Sequence, residues 1–327
     1  MITISIIIPV RNRKSLTQNI LQQLKTKIPT VSNQLKISVF VVDDGSTDCT
    51  PEMICQEFPE VQLIKGDGSL WWTGAIVKGM KFALERDNPD YILWLNDDII
   101  LSDNFLTNLA LLCQEANTSE VLTGGIVTAQ DHPEWMVFGG YINNQLIRVL
   151  SVFNDQNQIE VDTLNGNIIL IPNKVIQCLG FPDDDKFRHY GGDFDYSKRA
   201  KQAGIKVIIS KYISATTSYT VQDFIRYMPL LYQWQLEPKW GKRWKLIKGL
   251  LSLKTNYNIW HMVHVIHHGK KVSLKKYLGY FYREVRQLIF TNPQASEKYY
   301  DDIKVYLEEN KVPPEFTAAI LQKASLR

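Results

Sequence analysis

Two short apolar runs, Ile37–Val42 and Tyr91–Leu95, each end directly in an acidic turn, Asp43-Asp44-Gly45-Ser46 after the first and Asn96-Asp97-Asp98 after the second. Both runs are rich in β-branched or aromatic residues and bounded by polar turn residues, the pattern of strands buried in a parallel sheet. In an open α/β sheet, ligands bind beyond the carboxyl ends of the strands. Acidic residues at two such ends therefore face one crevice, an arrangement suited to a metal-bound nucleotide, and the chain reads as an enzyme.

Strand-like and helix-like segments alternate up to about residue 210, starting with a strand over Thr3–Ile8 and a helix over Ser15–Lys25. This is the βαβ pattern, with helices as crossovers. Ser46 or Thr47 is positioned to cap a helix over Pro51–Phe58, Thr73 one over Gly74–Arg86, and Asp103 one over Asn104–Glu115. From Val221 onward the strand signals fade and aromatic and basic residues recur at helical spacing, through Tyr227, Leu231 and Trp234 and then Trp244–Leu253. The expected organisation is an α/β domain over 1–220 and a helical, basic and aromatic region over 221–327.

With 327 residues, 45% of them hydrophobic, the chain is long enough to bury a substantial core. Cys49, Cys55, Cys113 and Cys178 form no CxxC pair and have no histidine at metal spacing, so they read as reduced thiols. The start, Met1–Pro9, has no basic leader, and no stretch reaches roughly 18 uninterrupted apolar residues. A cytoplasmic location is expected, with neither export nor membrane spanning.

Three motifs carry a resemblance: Ile8-Pro9-Val10-Arg11-Asn12, Val42-Asp43-Asp44-Gly45-Ser46-Thr47-Asp48, and Leu95-Asn96-Asp97-Asp98. In the same order follow Gly66–Ala75 with its Trp71-Trp72 pair, Leu164-Asn165-Gly166-Asn167, and Gly191-Gly192-Asp193-Phe194-Asp195 before a helix. Over residues 3–210 the set resembles the inverting nucleotide-sugar glycosyltransferases of family 2. That resemblance implies the GT-A fold, a Rossmann-like, mainly parallel sheet flanked by helices, here with a C-terminal helical appendage.

It also implies roles. The Asn96-Asp97-Asp98 turn resembles the family's DxD motif: Asp98 is the metal ligand, for Mg²⁺ or Mn²⁺, with Asn96 and Asp97 on the donor side. A divalent cation of this kind takes oxygen ligands and offsets the charge that develops on a nucleotide-diphosphate leaving group. Asp43 and Asp44 are expected at the base or ribose edge, Pro9, Val10 and Arg11 line the same pocket, and Trp71, Trp72 and Gly74 belong to the loop and helix beside the donor. Inverting transfer needs a general base opposite the leaving group, and Asp193 matches it. Asn165, Gly166, Gly192 and Asp195 are expected around the acceptor or its loop, with Asp195 able to cap or orient that loop.

Two positions depart from the family. Gly192 stands where many relatives carry an acid, and Thr216-Thr217 stand where many carry a histidine about two dozen residues after the base. His189, four residues before Asp193, is the nearest substitute. His261, His264, His267 and His268 share a helical face but lack accompanying acids, which argues against a metal site there.

Between Lys239 and Arg286 stand twelve Lys or Arg against one acid, Glu284, while the whole chain nets only +3. Interleaved with Trp240, Trp244, Trp260, Tyr277, Tyr280 and Tyr282, these charges suit an anionic membrane surface, where a lipid-linked acceptor is found; the competing reading packs the aromatics on the catalytic domain. No nucleic-acid-binding motif is present. The expected function is transfer of a hexosyl or deoxyhexosyl group from a UDP- or dTDP-sugar to a glycan or lipid-linked acceptor. Resemblance leans towards rhamnosyl or galactofuranosyl transfer in bacterial surface polysaccharide synthesis, at the inner face of the cell membrane. The alternative is a catalytically idle nucleotide-sugar or membrane-binding module. A sugar-phosphate nucleotidyltransferase ranks last, because Pro9-Val10-Arg11-Asn12 replaces the Gly-rich basic loop it requires.

Overall fold

The computed structural model describes residues 1–115, 118–237, 239–267, 272–290 and 296–325. The chain divides into two compact units, Met1–Ser218 and Tyr219–Arg327.

The first unit is built on strands β1 (Ile2–Val10), β2 (Leu35–Asp43), β3 (Gln62–Lys65), β4 (Tyr91–Leu95), β5 (Ile100–Leu101), β6 (Val121–Ala129) and β7 (His132–Phe138). The later strands are β8 (Gly140–Ile142), β9 (Gln145–Leu146), β10 (Gln158–Glu160), β11 (Thr163–Leu164), β12 (Ile168–Pro172) and β13 (Lys206–Thr217). Its helices are α1 (Lys14–Lys27), α2 (Thr50–Glu57), α3 (Trp71–Arg86), α4 (Phe105–Gln114), α5 (Asn173–Leu179) and α6 (Gly192–Gln202). The main sheet runs β10-β13-β6-β12-β4-β1-β2-β3, with β5 on β13 and β7 on β6, and a small sheet of order β11-β8-β9 stands apart. Strands β3, β2, β1 and β4 are mutually parallel, as are β6 and β13. Strand β12 runs antiparallel between β4 and β6. The architecture is the expected mainly parallel sheet flanked by helices.

The interior follows from the sequence pattern. Strand β12 and strand β4 are buried at every residue, as strands covered on both faces must be. Trp94 of β4, fully buried, meets Trp72 edge-on at 5.7 Å between centroids and Tyr196 at 5.4 Å. Helix α3 lies close on β1 and β2 because Gly79 has no side chain: a Cβ there would stand 2.5 Å from Ile7 Cγ2 and 3.0 Å from Val42 Cγ2.

The expected helix caps are corrected. Helix α2 starts at Thr50 with Cys49 as N-cap at φ +62°, while Ser46 Oγ accepts from the Asn12 N–H and the Thr47 N–H donates to Asn12 Oδ1. Both hydroxyl residues tie the loop to β1 instead of capping. Thr73 is buried inside α3, which begins two residues earlier. Asn104, not Asp103, is the N-cap of α4 and makes no side-chain cap bond; Asp103 pairs with Lys27 at 3.7 Å. Local propensity points to a polar residue, and these contacts with distant segments override it.

The second unit is helical: α7 (Val221–Tyr227), α8 (Leu230–Leu236), α9 (Trp240–Gly249), α10 (Ile259–Ile266), α11 (Leu274–Ile289), α12 (Ser296–Glu309) and α13 (Pro314–Ser325). Thr220 and Asp223 form a reciprocal capping box at the start of α7. Trp234, Ile247 and Leu288 form one small core, and Leu250, Ile259 and Val263 another. Among the described residues, no helix is long and apolar enough to cross a membrane. Cys49, Cys55, Cys113 and Cys178 are all free thiols, Cys113 buried.

Candidate active site

The carboxyl ends of β1, β2 and β4 bring the predicted donor residues to one edge of the sheet. Val10 is in register with Asp43, so Pro9, Val10 and Asp43 sit side by side at that edge. The two acids of the first motif then part company. Asp43 Oδ2 accepts from the Ser46 N–H at 3.1 Å, while its buried Oδ1 has no hydrogen-bond partner.

Asp44 is turned the other way. Its Oδ1 accepts from the N–H groups of Gly68 (2.8 Å) and Leu70 (3.2 Å), and its Oδ2 from that of Trp71 (3.0 Å). A carboxylate from the end of β2 thus caps the first turn of α3, where negative charge and acceptors are both favourable. Arg11 completes the clasp: its Nη1 donates to the Gly68 carbonyl at 2.5 Å and stands 3.6 Å from Asp44 Oδ2. Trp71 is held at φ +57°, a left-handed conformation costing an aromatic residue roughly 1–2 kcal/mol. Its bonded N–H fixes it there. Asp44 therefore holds the loop before α3, and Asp43 keeps an unbonded carboxylate oxygen.

The adjacent tryptophans diverge. Trp71 packs near His189, centroids 5.6 Å apart. Trp72 lies on the core and donates its Nε1–H to Asn96 Oδ1 at 3.0 Å. Gly74 lies in the first turns of the same helix, close to Leu70.

In the second acidic turn, Asp97 is buried, accepts from Thr17 Oγ1 at 3.0 Å and lies 2.9 Å from Arg13 Nε. Burial pushes its carboxyl up to about 6, with Arg13 opposing. Asp98 is partly buried, its side chain 39% exposed, with Oδ2 2.9 Å from Arg13 Nη2 and a buried Oδ1 that has no hydrogen-bond partner. One guanidinium therefore spans both acids. Thr217, at the end of β13, donates its hydroxyl to the Asp98 carbonyl at 2.7 Å, so the strand end expected to carry a histidine reaches the turn with a threonine on it. Among the described residues, no three His, Cys, Asp or Glu side chains converge on one point. Asp98, with one open oxygen, fits a hard cation whose other ligands come from phosphate oxygens and water. His189 instead packs between Trp71 and Tyr190. In the second unit, His264 and His267 face the hydroxyls of Tyr277 and Tyr280, and His268 lies outside the described residues.

Asp193 sits in the first turn of α6, behind Gly191 at φ +88°. Its Oδ2 accepts from the Gly166 N–H at 2.7 Å and its Oδ1 from the Phe194 N–H at 2.9 Å. Burial outweighs these bonds and raises its pKa above the ordinary carboxylate value. The same loop is stitched to the acidic turn: the Asn96 N–H donates to the Asn167 carbonyl at 2.9 Å, and Asn96 Nδ2 donates to Asn167 Oδ1 at 2.9 Å. Asn165 Oδ1 accepts from the Asn167 N–H at 3.2 Å. A Cβ on Gly166 would stand 2.6 Å from the Trp72 ring and 3.1 Å from Asp193 Oδ2, so this glycine allows the three to converge. Asp195 pairs with Arg199 at 2.9 Å, and Arg199 also donates to the Leu179 and Phe181 carbonyls. It orients α6. Gly192 packs on Thr73: a Cβ there would lie 2.6 Å from Thr73 Oγ1, so the space beside Gly192 is filled from α3.

Arg13 and Thr17 were not singled out by their residue types. Arg13 sits one residue past the first motif, and a basic side chain there is a signal only once β1 and β4 are known to be neighbours.

Comparison with known proteins accords with this geometry. The sheet resembles solved glycosyltransferases: GalNAc-T7 crystallised with UDP, GalNAc and Mn²⁺ (TM-score 0.51, 12% identity, 88% of this chain and 58% of that one), and the mannosyltransferase PcManGT of Pyrobaculum calidifontis with GDP-Man and Mn²⁺ (TM-score 0.51, 12% identity, 99% and 86%). The fold is of GT-A type. Residues 5–161, all within the first unit, match the glycosyl transferase family 2 model. In sequence the chain is similar to the low-salt glycan biosynthesis hexosyltransferase Agl10 of Haloferax volcanii, 22% identical over 179 residues, covering 52% of this chain and 56% of that protein. It is also similar to an uncharacterized protein of Methanocaldococcus jannaschii, 35% identical over 97 residues, covering 28% and 38%. The chain thus spans about half or less of the length of these relatives.

Proposed function

We propose that the protein is an inverting, metal-dependent glycosyltransferase that moves a hexosyl or deoxyhexosyl group from a UDP- or dTDP-sugar to a hydroxyl of a glycan or lipid-linked acceptor, in the building of surface glycans. Asp193 is the base that takes the acceptor proton. Asp98 is the protein ligand to Mg²⁺ or Mn²⁺, which would offset charge on the leaving diphosphate. Asp43, through its open oxygen, receives the N–H of the base or a ribose hydroxyl. Arg11, Trp71 and the clasped loop wall the same pocket.

The observation that carries this reading is Asp193: a partly buried carboxylate whose desolvation raises its proton affinity, joined through Gly166 and Asn167 to the turn that carries Asp98. A pKa moved towards working pH is what a general base requires. Thermal melts of the full chain with UDP, dTDP and GDP, each with Mn²⁺, Mg²⁺ or chelator, test it. A rise with one nucleotide that vanishes in chelator is the expected result. No rise with any of them counts against the donor pocket and favours an idle module.

The second unit supports a further element of the reading, contact with an anionic membrane surface. Trp240, Trp244 and Trp260 are exposed there among its lysines and arginines.

A further inference from the structure

We infer that the outward face of α11 is the membrane-docking surface, seated in the headgroup region of a bilayer containing anionic phospholipid; this deepens the membrane reading just given and rests on it. The helix has three faces at 100° per residue. One, carrying Leu288 and the partly buried Tyr277 and Phe281, packs into the unit, with Tyr277 stacked on Trp260 at 5.2 Å and Leu288 in a core with Trp234 and Ile247.

The second face is exposed among the described residues. Leu274, Leu278, Tyr282 and Ile289, at spacings of four, four and seven residues, fall within a quarter turn of one another and are 74%, 60%, 66% and 45% exposed. Four large apolar side chains in one solvent-facing stripe are costly in water and mark a contact surface.

The third face says what that contact is. Lys275, Lys276, Arg283 and Arg286 follow the apolar stripe around the helix, all exposed, and Glu284 is the sole acid of α11. Arg283 lies 3.2 Å from Glu284 and over the Tyr280 ring, which leaves the positive charge of the face in excess. An apolar stripe bordered by Lys and Arg along one exposed helix is the pattern of a helix lying in a membrane interface, its stripe among acyl chains and its cations at lipid phosphates. A protein partner would not require that border, and nucleic acid would not require the stripe.

The test is co-sedimentation of the full chain with large unilamellar vesicles of phosphatidylcholine, alone or with about one third phosphatidylglycerol, at low and high salt. It is read without donor or acceptor, so loss or absence of sugar transfer does not bear on it. Binding to the anionic vesicles, weakened by salt, is expected. Leu278→Glu with Tyr282→Glu lowers it at least about tenfold, with the circular dichroism and melting temperature of the parent. Lys275→Ala with Arg286→Ala lowers it about fivefold per charge, on anionic vesicles only.

Failure of the parent chain to bind either vesicle overturns the membrane reading and this assignment together. Binding that survives the Glu pair but is lost in Trp240→Ala with Trp244→Ala overturns α11 alone and seats the contact on α9. Self-association of the parent chain that the Glu pair abolishes overturns it in favour of a second copy on that stripe.

Discussion

The N–H of Trp71 donates to Asp44 Oδ2 across 27 residues of sequence at 3.0 Å, so the carboxylate ending one strand is the cap of the helix after the next. The motif that reads as two ligand-facing acids is divided: Asp44 holds a later loop, and Asp43 keeps one oxygen unbonded.

Asp44→Ala and Asp43→Asn should therefore behave differently. The first strips the acceptor from three loop amides and is expected to cost roughly 3 kcal/mol, lowering the melting temperature and nucleotide affinity together. The second keeps the fold and weakens nucleotide binding alone. Denaturant melts paired with nucleotide titrations distinguish them, and an Asp44→Ala protein of parental stability would contradict the capping role.

For Asp193→Asn, transfer is expected to fall about 10²–10⁴-fold with nucleotide binding retained. A base acts deprotonated, and burial raises the pKa of Asp193 above its ordinary 3.8. Activity should therefore rise with pH along an acid limb lying above the usual carboxylate range. The pH profile of kcat/KM checks this, and a limb that persists unchanged in the Asn variant would assign the base elsewhere.

Asp97 makes a prediction about stability. Its folded pKa, about 6, lies above its ordinary 3.8 because it is buried, so the folded state holds the proton more tightly than the unfolded. That contribution is present below about pH 4 and is lost as pH climbs through 6, up to about 3 kcal/mol. The stability difference between the parent and Asp97→Asn, followed by urea unfolding from pH 4 to 7, should change in that window.

Gly192→Glu would place a second carboxylate beside Asp193, yet its Cβ would press on Thr73. Overpacking of this kind costs about 1–3 kcal/mol. A lower melting temperature with no gain in transfer is expected, partly relieved by Thr73→Ala, and a more active variant would show that the loop has room for a second carboxylate.

The sheet was legible because its strands are continuous apolar runs, as in Tyr91–Leu95, and because acidic turns mark their ends. Asp98 and Asp193 were legible as motif positions. What could not be read was the cross-talk. That Asp44 turns to amides of a later loop, that Thr73 fills the space beside Gly192, and that Arg13 meets both acids depend on which strand ends become neighbours. Capping residues were misplaced for the same reason: Ser46 and Thr47 have a helix-starting chemistry, but Asn12 on an adjoining strand end uses it first.

The reach of Arg13 to Asp97 and Asp98 bears on how the empty crevice keeps its shape. Two neighbouring carboxylates would repel one another at an empty crevice, and one side chain already balances them. The resting protein has no need of a stored ion to keep its shape. On the proposed reading, a cation arriving with a diphosphate would meet a turn that Arg13 already holds in position.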